Sequence, residues 1–368
     1  LTDIDCLVVG AGFAGATIAE RMAFQGHRVV VMERRDHIGG NAHDCLDVQG
    51  ILIHPYGPHI FHTNAQQIWD YLSRFTDWLP YEHRVLAEID GKQVPVPFNL
   101  TSLHALFPAE QAHDLEALLL QEYGVEARVP ILKMRESSHE GLKDLAEYVY
   151  QKVFLGYTVK QWGLRPEELS PSVTARVPVA VSRDDRYFQD RFQAMPKQGY
   201  HQLFVNMLDH PNIEIQLNTD FLRLRNQISA RHIFYTGPID AYFDYRFGSL
   251  PYRSLAFEHE TLNQEKFQPV GTVNYPNEHA FTRITEFKHI TGQEAEQTSI
   301  VREYPRSEGD PYYPVPRPDN EKLFQQYQKL AEAELGVTFV GRLANYRYYN
   351  MDQVVASALT ACKAWANE

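Results

Sequence analysis

The run Ile4-Asp5-Cys6-Leu7-Val8-Val9-Gly10-Ala11-Gly12-Phe13-Ala14-Gly15 decides the fold. Residues 4–9 are apolar enough to read as a strand covered on both faces. The glycines carry the chain into a helix that runs to about Gln25, and Gly26 ends it. Residues 27–32 are apolar again and read as a second parallel strand. Gly10 permits the tight turn, Gly12 lets a pyrophosphate approach the backbone, and Gly15 lets helix and strand pack closely. Phe13 and Ala14 open the helix, whose free N–H groups and dipole favour an anion. Glu33 ends the second strand about 20 residues on, where a carboxylate accepts ribose hydroxyls. Strand, glycine loop, helix, strand and acid in this order predict a Rossmann-type dinucleotide-binding unit.

Outward from that unit, Glu33-Arg34-Arg35-Asp36-His37-Ile38-Gly39-Gly40-Asn41 resembles the strand-end acid, basic residue and Gly-Gly turn of flavin amine oxidases and their relatives. The resemblance implies FAD rather than NAD, with Arg34, Gly39, Gly40 and Asn41 near the cofactor. A plain surface turn is the competing reading of Gly39-Gly40. A second signal stands towards the other end. Gly341-Arg342 follows a short strand at 337–340, and Met351-Asp352 opens a helix expected over 352–366. In FAD-binding Rossmann proteins such a helix aims its N-terminus at the pyrimidine edge of the flavin.

The chain has 368 residues, 44% of them hydrophobic and 22% charged, which is an ordinary globular composition with room for two or three structural units. A formal charge of −12 argues against a general nucleic-acid binder. Cys6, Cys45 and Cys362 are scattered and fit buried thiols in a reducing compartment. No apolar run reaches membrane-span length and no signal-peptide pattern opens the sequence, so the cytoplasm is expected.

Asp90-Gly91 between residues 84–90 and 92–98 predicts a hairpin. Helical spacing takes over from 102 to 157, and 177–197 reads as loop and edge strand. A helix at 199–208 and strands at 213–217 and 233–235 return to the first sheet. Strands at 254–260, 271–275 and 281–289 belong to a second, antiparallel sheet. A Pro-rich crossing loop spans 304–318, followed by a helix at 321–335. The expected class is α/β: a discontinuous Rossmann-type FAD-binding domain (1–83, 199–245 and 312–368), an inserted helical domain (99–177) and an antiparallel β-sheet substrate domain (84–98, 178–198 and 246–311).

Four further stretches resemble the bacterial UDP-galactopyranose mutases. They are Gly57-Pro58-His59-Ile60-Phe61-His62-Thr63, Gly156-Tyr157-Thr158-Val159-Lys160-Gln161-Trp162-Gly163, Phe281-Thr282-Arg283-Ile284-Thr285-Glu286-Phe287-Lys288-His289 and Gly341-Arg342-Leu343-Ala344-Asn345-Tyr346-Arg347-Tyr348. The likeness extends over the whole chain. It implies a non-redox interconversion of UDP-galactopyranose and UDP-galactofuranose, in which N5 of reduced FAD attacks the anomeric carbon and the ring opens through a flavin iminium.

By that resemblance Arg176 and Arg283 clamp the diphosphate, which suits planar guanidinium donors. Tyr187, Tyr313 and Tyr348 contact it as well. Tyr157 stacks on uracil with Phe154 nearby, and Thr158 and Trp162 lie towards the sugars. Arg342, His59, Ile60 and His62 line the flavin. Asn350 stands where some relatives carry Asp and is a candidate substrate contact, as is Asn274. Without the family each arginine reads as a surface ion pair and each tyrosine as a half-buried core residue. His59 and His62 have no third ligand of suitable spacing, so no metal is expected. The resemblance also implies a homodimer or larger oligomer. The rival readings are a flavin amine oxidase-like oxidoreductase and a non-catalytic nucleotide-sugar or FAD-binding module.

Overall fold

Three segments far apart in sequence meet in one parallel sheet. The computed structural model describes residues 4–175 and 177–365. The strand Ile4–Val9 lies between Val29–Met32 and Ala230–Tyr235, with Ile213–Gln216 and Val337–Phe339 at the edges. All four pairings are parallel, and Leu7, Val8, Val29, Val30 and Val31 are fully buried. Covered faces explain why these strands read as unbroken apolar runs. The helices Phe13–Phe24, Gly199–Leu208 and Met351–Trp365 share one core, to which Ala16, Ala19, Leu203, Phe204, Val355 and Ala358 contribute. Helix and strand approach so closely at the glycine loop that a Cβ on Gly15 would fall 1.8 Å from the Gly10 carbonyl oxygen.

The second sheet has seven strands, in the order Tyr313–Pro314, Tyr252–Leu262, Thr298–Arg306, Arg283–Glu286, Thr272–Asn274, Val85–Ile89 and Lys92–Val96. Its pairings are antiparallel except that of Thr272–Asn274 with Val85–Ile89. Asp90 and Gly91 both take positive φ, as the two-residue hairpin turn requires. The helical unit follows, with Leu103, Leu119, Leu142, Leu145 and Val149 in its core. Asn99 and Ser102 cap its first helix, Leu100–Leu106, reciprocally. The fold is of the expected class.

Three details differ from the sequence reading. Phe192–Pro196 is the middle strand of a three-stranded sheet between Phe61–Thr63 and Trp78–Pro80, not an edge. Met195 from this strand joins the Rossmann core. The strand expected over 281–289 stops at Glu286, and Phe287–Thr291 is a helix. Thr298–Arg306 is a nine-residue strand inside the large sheet, and it takes residues 304–306 out of the expected crossing loop. Polar and charged residues in its sequence hide the period that an interior strand usually shows.

Candidate active site

A cleft of about 660 Å³ runs along the carboxyl ends of the parallel strands. Gly10, Gly12, Phe13, Glu33, Arg34, Gly39, Gly40 and Asn41 line it at one end, and His59, Arg342 and Met351 also contribute. Its shape depends on two glycine backbones in near contact. A Cβ on Gly40 would lie 3.0 Å from the Gly12 Cα, and one on Gly12 would lie 3.7 Å from the Gly40 Cα. Gly39 adopts φ +97 and donates its N–H to the Ala11 carbonyl at 2.9 Å. Glu33 is buried and accepts the Ala11 N–H at 2.8 Å and the Arg35 N–H at 3.0 Å. The loop and the strand-end acid are thus tied to one another through the Ala11 peptide. Such a cradle fits a dinucleotide pyrophosphate.

His59 and Arg342 stand where this cleft meets the large sheet. The His59 ring donates from Nδ1 to the Gly57 carbonyl at 2.9 Å, since a carbonyl oxygen can only accept, and burial and the nearby Arg342 and Arg283 push its pKa down to about 4. The ring is neutral at pH 7, and Nε2 keeps a lone pair. Arg342 donates to the Tyr349 carbonyl from Nε at 3.1 Å and from Nη2 at 2.5 Å. Its guanidinium lies 5.7 Å from the ring centres of both Tyr313 and Tyr348.

Across the sheet, Asn274, Arg283 and Glu303 are directly opposed on three neighbouring strands. Opposed residues share a face, so these three polar side chains form one row. Glu303 is 1% exposed, and its Oε1 lies 2.8 Å from Arg283 Nε. The two atoms are close but do not align as a hydrogen bond. Burial opposes the charge on Arg283, yet the Glu303 carboxylate together with the Tyr157 and Tyr313 phenols outweighs it and holds the guanidinium well above its ordinary pKa. The Gly57-Pro58-His59 turn presses on this row: a Cβ on Gly57 would sit 2.9 Å from Phe257 and 3.2 Å from Glu303 Oε1.

Tyrosines complete the wall. Tyr157 feels the charges of Arg283 and Glu303 and lies near Tyr187 and Tyr348; burial pushes its phenol pKa up. Burial does the same to Tyr313, beside Tyr348, Arg283, Glu303 and Arg342. Trp162 packs against Tyr313 and Tyr348, with centroids 6.2 and 5.8 Å apart. The helix Gly156–Trp162 is anchored at both ends. Gly156 has no room for a Cβ, which would meet the Pro276 carbonyl oxygen at 2.3 Å. Arg253 donates to the Gln161 and Lys160 carbonyls at 2.8 and 3.1 Å. The π-helical turn Tyr150–Leu155 runs straight into this helix.

Arg176 is outside the described residues. Phe154 is buried in the core of the helical unit, because its helix turns that face inward. Thr158 is buried beside Tyr157. His62 does not line the dinucleotide cleft; its Nδ1 bonds Asp190 at 2.8 Å and its ring stacks on Phe188. Ile60 is buried under the cleft rather than lining it. Asp352 accepts the Thr63 hydroxyl at 2.8 Å, so its carboxylate faces that strand and not the cleft. Asn350 donates its N–H to Gln353 at 2.9 Å at the start of the last helix. Sequence reasoning missed Glu303 and Arg253, whose roles depend on strand register and helix docking. Among the described residues, no cluster of His, Cys, Asp or Glu is suited to a metal, and no helix is long and apolar enough to cross a membrane.

A glycine-cradled dinucleotide cleft meeting a cationic, tyrosine-rich wall defines the class, a dinucleotide-binding α/β protein with a second, anion-suited surface beside the cleft. The profile of the UDP-galactopyranose mutase family matches residues 152–348, and that of NAD(P)-binding Rossmann-like domains matches 8–75. A probable UDP-galactopyranose mutase from Klebsiella pneumoniae is 40% identical over 96% of this chain and 92% of its own. A dTDP-fucopyranose mutase from Escherichia coli is 35% identical over 98% and 97%. A crystal structure of reduced UDP-galactopyranose mutase shares the fold with a TM-score of 0.77 at 16% identity, covering 100% of this chain and 94% of that one. The chain belongs to the UDP-galactopyranose mutase family, a family of flavin-dependent isomerases. The oxidoreductase reading keeps only a distant relationship: a putative flavin-containing monoamine oxidase of Mycobacterium tuberculosis is 51% identical over 11% of this chain.

Proposed function

We propose that the protein interconverts UDP-galactopyranose and UDP-galactofuranose, with FAD in the Rossmann cleft active in its reduced form. The observation that carries this reading is the row of half-buried Asn274 and Arg283 and buried Glu303 beside Tyr157, Tyr313, Tyr348 and Arg342. Gly10, Gly12, Gly15, Gly39 and Gly40 would cradle the pyrophosphate of FAD, and Glu33 would accept ribose hydroxyls. When bound and reduced, FAD supplies a nucleophilic N5 for the anomeric carbon, with no net change of redox state.

The chain's own residues do the rest. Arg283, with Arg176, neutralises charge that grows on the diphosphate as the anomeric bond breaks. Glu303 balances the charge of Arg283 and fixes the end that does not touch substrate. Tyr187, Tyr313 and Tyr348 offer hydroxyl donors, and burial keeps Tyr313 protonated throughout the physiological range. Tyr157 gives uracil a flat surface, and Trp162 closes the sugar side. Arg342 places a fixed positive charge where the two halves of the site meet. A cytoplasmic homodimer or larger oligomer completes the proposal, and light scattering measures it.

The dithionite-reduced protein is expected to equilibrate the two UDP-sugars, and the oxidised protein to leave them unchanged. Equal turnover by the oxidised form would overturn the mechanism. The similarity to the dTDP-fucopyranose mutase supports a second substrate reading. That sugar lacks the 6-hydroxyl, and thymine adds a methyl group. Parallel assays with UDP-galactofuranose and dTDP-fucofuranose decide, and a higher kcat/KM for the latter would replace the substrate named here.

A further inference from the structure

The dinucleotide cleft has two walls from distant parts of the chain. Glu33, Arg34 and Arg35 follow the strand Val29–Met32 on one side. The segment 307–312, between Thr298–Arg306 and Tyr313–Pro314, supplies Ser307, Gly309, Asp310 and Tyr312 on the other. One carboxylate spans the gap. Asp310 Oδ1 lies 2.9 Å from Arg34 Nη2, and Oδ2 lies 3.8 Å from Arg35 Nη2.

Both partners are held in place. Arg35 donates to Asn41 Oδ1 at 2.9 Å and lies over the Tyr56 ring at 4.2 Å. Gly309 adopts φ +123, and a Cβ there would sit 2.6 Å from Ser254 Oγ, so the path of the segment depends on glycine. Glu33 does not compete for the arginine side chains, because its oxygens accept the Ala11 and Arg35 backbone N–H groups.

We infer that segment 307–312 is a strap over the mouth of the dinucleotide cleft, and that Asp310 latches it to Arg34 and Arg35 and so sets how fast FAD enters and leaves. The inference rests on the FAD reading above. The Arg34 and Asp310 side chains are 55% and 51% exposed, so salt screens the latch and each contact is weak. A weak, screened bond suits a closure that must reopen.

The test is the rate of flavin release. Purified holoprotein is diluted into flavin-free buffer at low and high sodium chloride, and release is followed by the rise in flavin fluorescence. At low salt, Asp310→Asn is expected to release flavin roughly two- to fivefold faster than the parent. Release from the parent should speed up with salt, while that from the variant should change little. Combining Arg34→Gln with Asp310→Asn should be no faster than Asp310→Asn alone, since that variant already breaks the Arg34 contact. Asp319→Asn removes an exposed carboxylate outside the cleft and is expected to release at the parent rate. Equal release from parent and Asp310→Asn at low salt, or fully additive effects, would refute the latch. A protein that purifies without flavin and binds none refutes the FAD reading and the latch together. A flavoprotein whose release ignores Asp310 refutes the latch alone.

Discussion

Arg283 sits between Asn274 and Glu303 on neighbouring strands, with one end against a buried carboxylate and the other facing the tyrosine wall. Removing the carboxylate leaves a half-buried cation without its partner, a costly change where water cannot substitute. Glu303→Gln is therefore expected to lower kcat/KM by roughly a hundredfold, equivalent to about 3 kcal/mol, with flavin content unchanged. Arg283→Lys should fail nearly as badly, because an ammonium cannot reach carboxylate and diphosphate with one planar group. Full activity in either variant would place the diphosphate elsewhere. At the other pole of the site, Gly15→Ala puts a methyl group 1.8 Å from the Gly10 oxygen, and the purified variant should carry no flavin. Yellow protein at normal yield would contradict the close packing.

The helix Gly156–Trp162 depends on one outside residue. Arg253 reaches from the strand Tyr252–Leu262 to the carbonyls at the C-terminus of this helix, where a cation also suits the dipole. Arg253→Ala should loosen Trp162 and Tyr157 together. The expected result is a KM raised severalfold, little change in flavin content and a destabilisation of about 1–2 kcal/mol. Unchanged KM and Tm would show that the Gly156–Pro276 contact suffices. Elements of this kind differ in how plainly their sequences declare them. The glycine loop, the Asp90-Gly91 hairpin and the amphipathic helices carry local signals within about a dozen residues. Thr298–Arg306 does not: its inward Glu303 reads as a solvated charge until pairing with Arg283–Glu286 and Tyr252–Leu262 buries it. Arg253 is equally silent, since its partners lie about 90 residues away and exist only after docking. Arg283 and the tyrosines were legible through family likeness, whereas Glu303, set by register, was not.

At the scale of the molecule, four histidines carry a pH dependence of known sign. Burial pushes His54 and His83 down to about 3, and His43 and His59 down to about 4. Their unfolded values lie near 6.5, so between that pH and the folded values the unfolded chain binds more protons. The stability these four rings contribute is full above about pH 6.5 and is lost as the pH falls towards 4 and below. Thermal melting at saturating flavin between pH 4 and 7 should show a falling Tm, and His83→Gln should make the fall less steep. A flat profile would mean that these rings are not buried as neutral groups. The parallel sheet has a separate consequence, because its strands come from residues 4–32, 213–235 and 337–339. A ribosome makes the glycine loop first and the last edge strand some 300 residues later. At about 5–20 residues per second, the nascent nucleotide site waits on the order of tens of seconds with unpaired strand edges. Completion of the sheet therefore waits for residues 337–339, and chaperones that shield open β-edges during that wait are expected to raise the yield of folded protein.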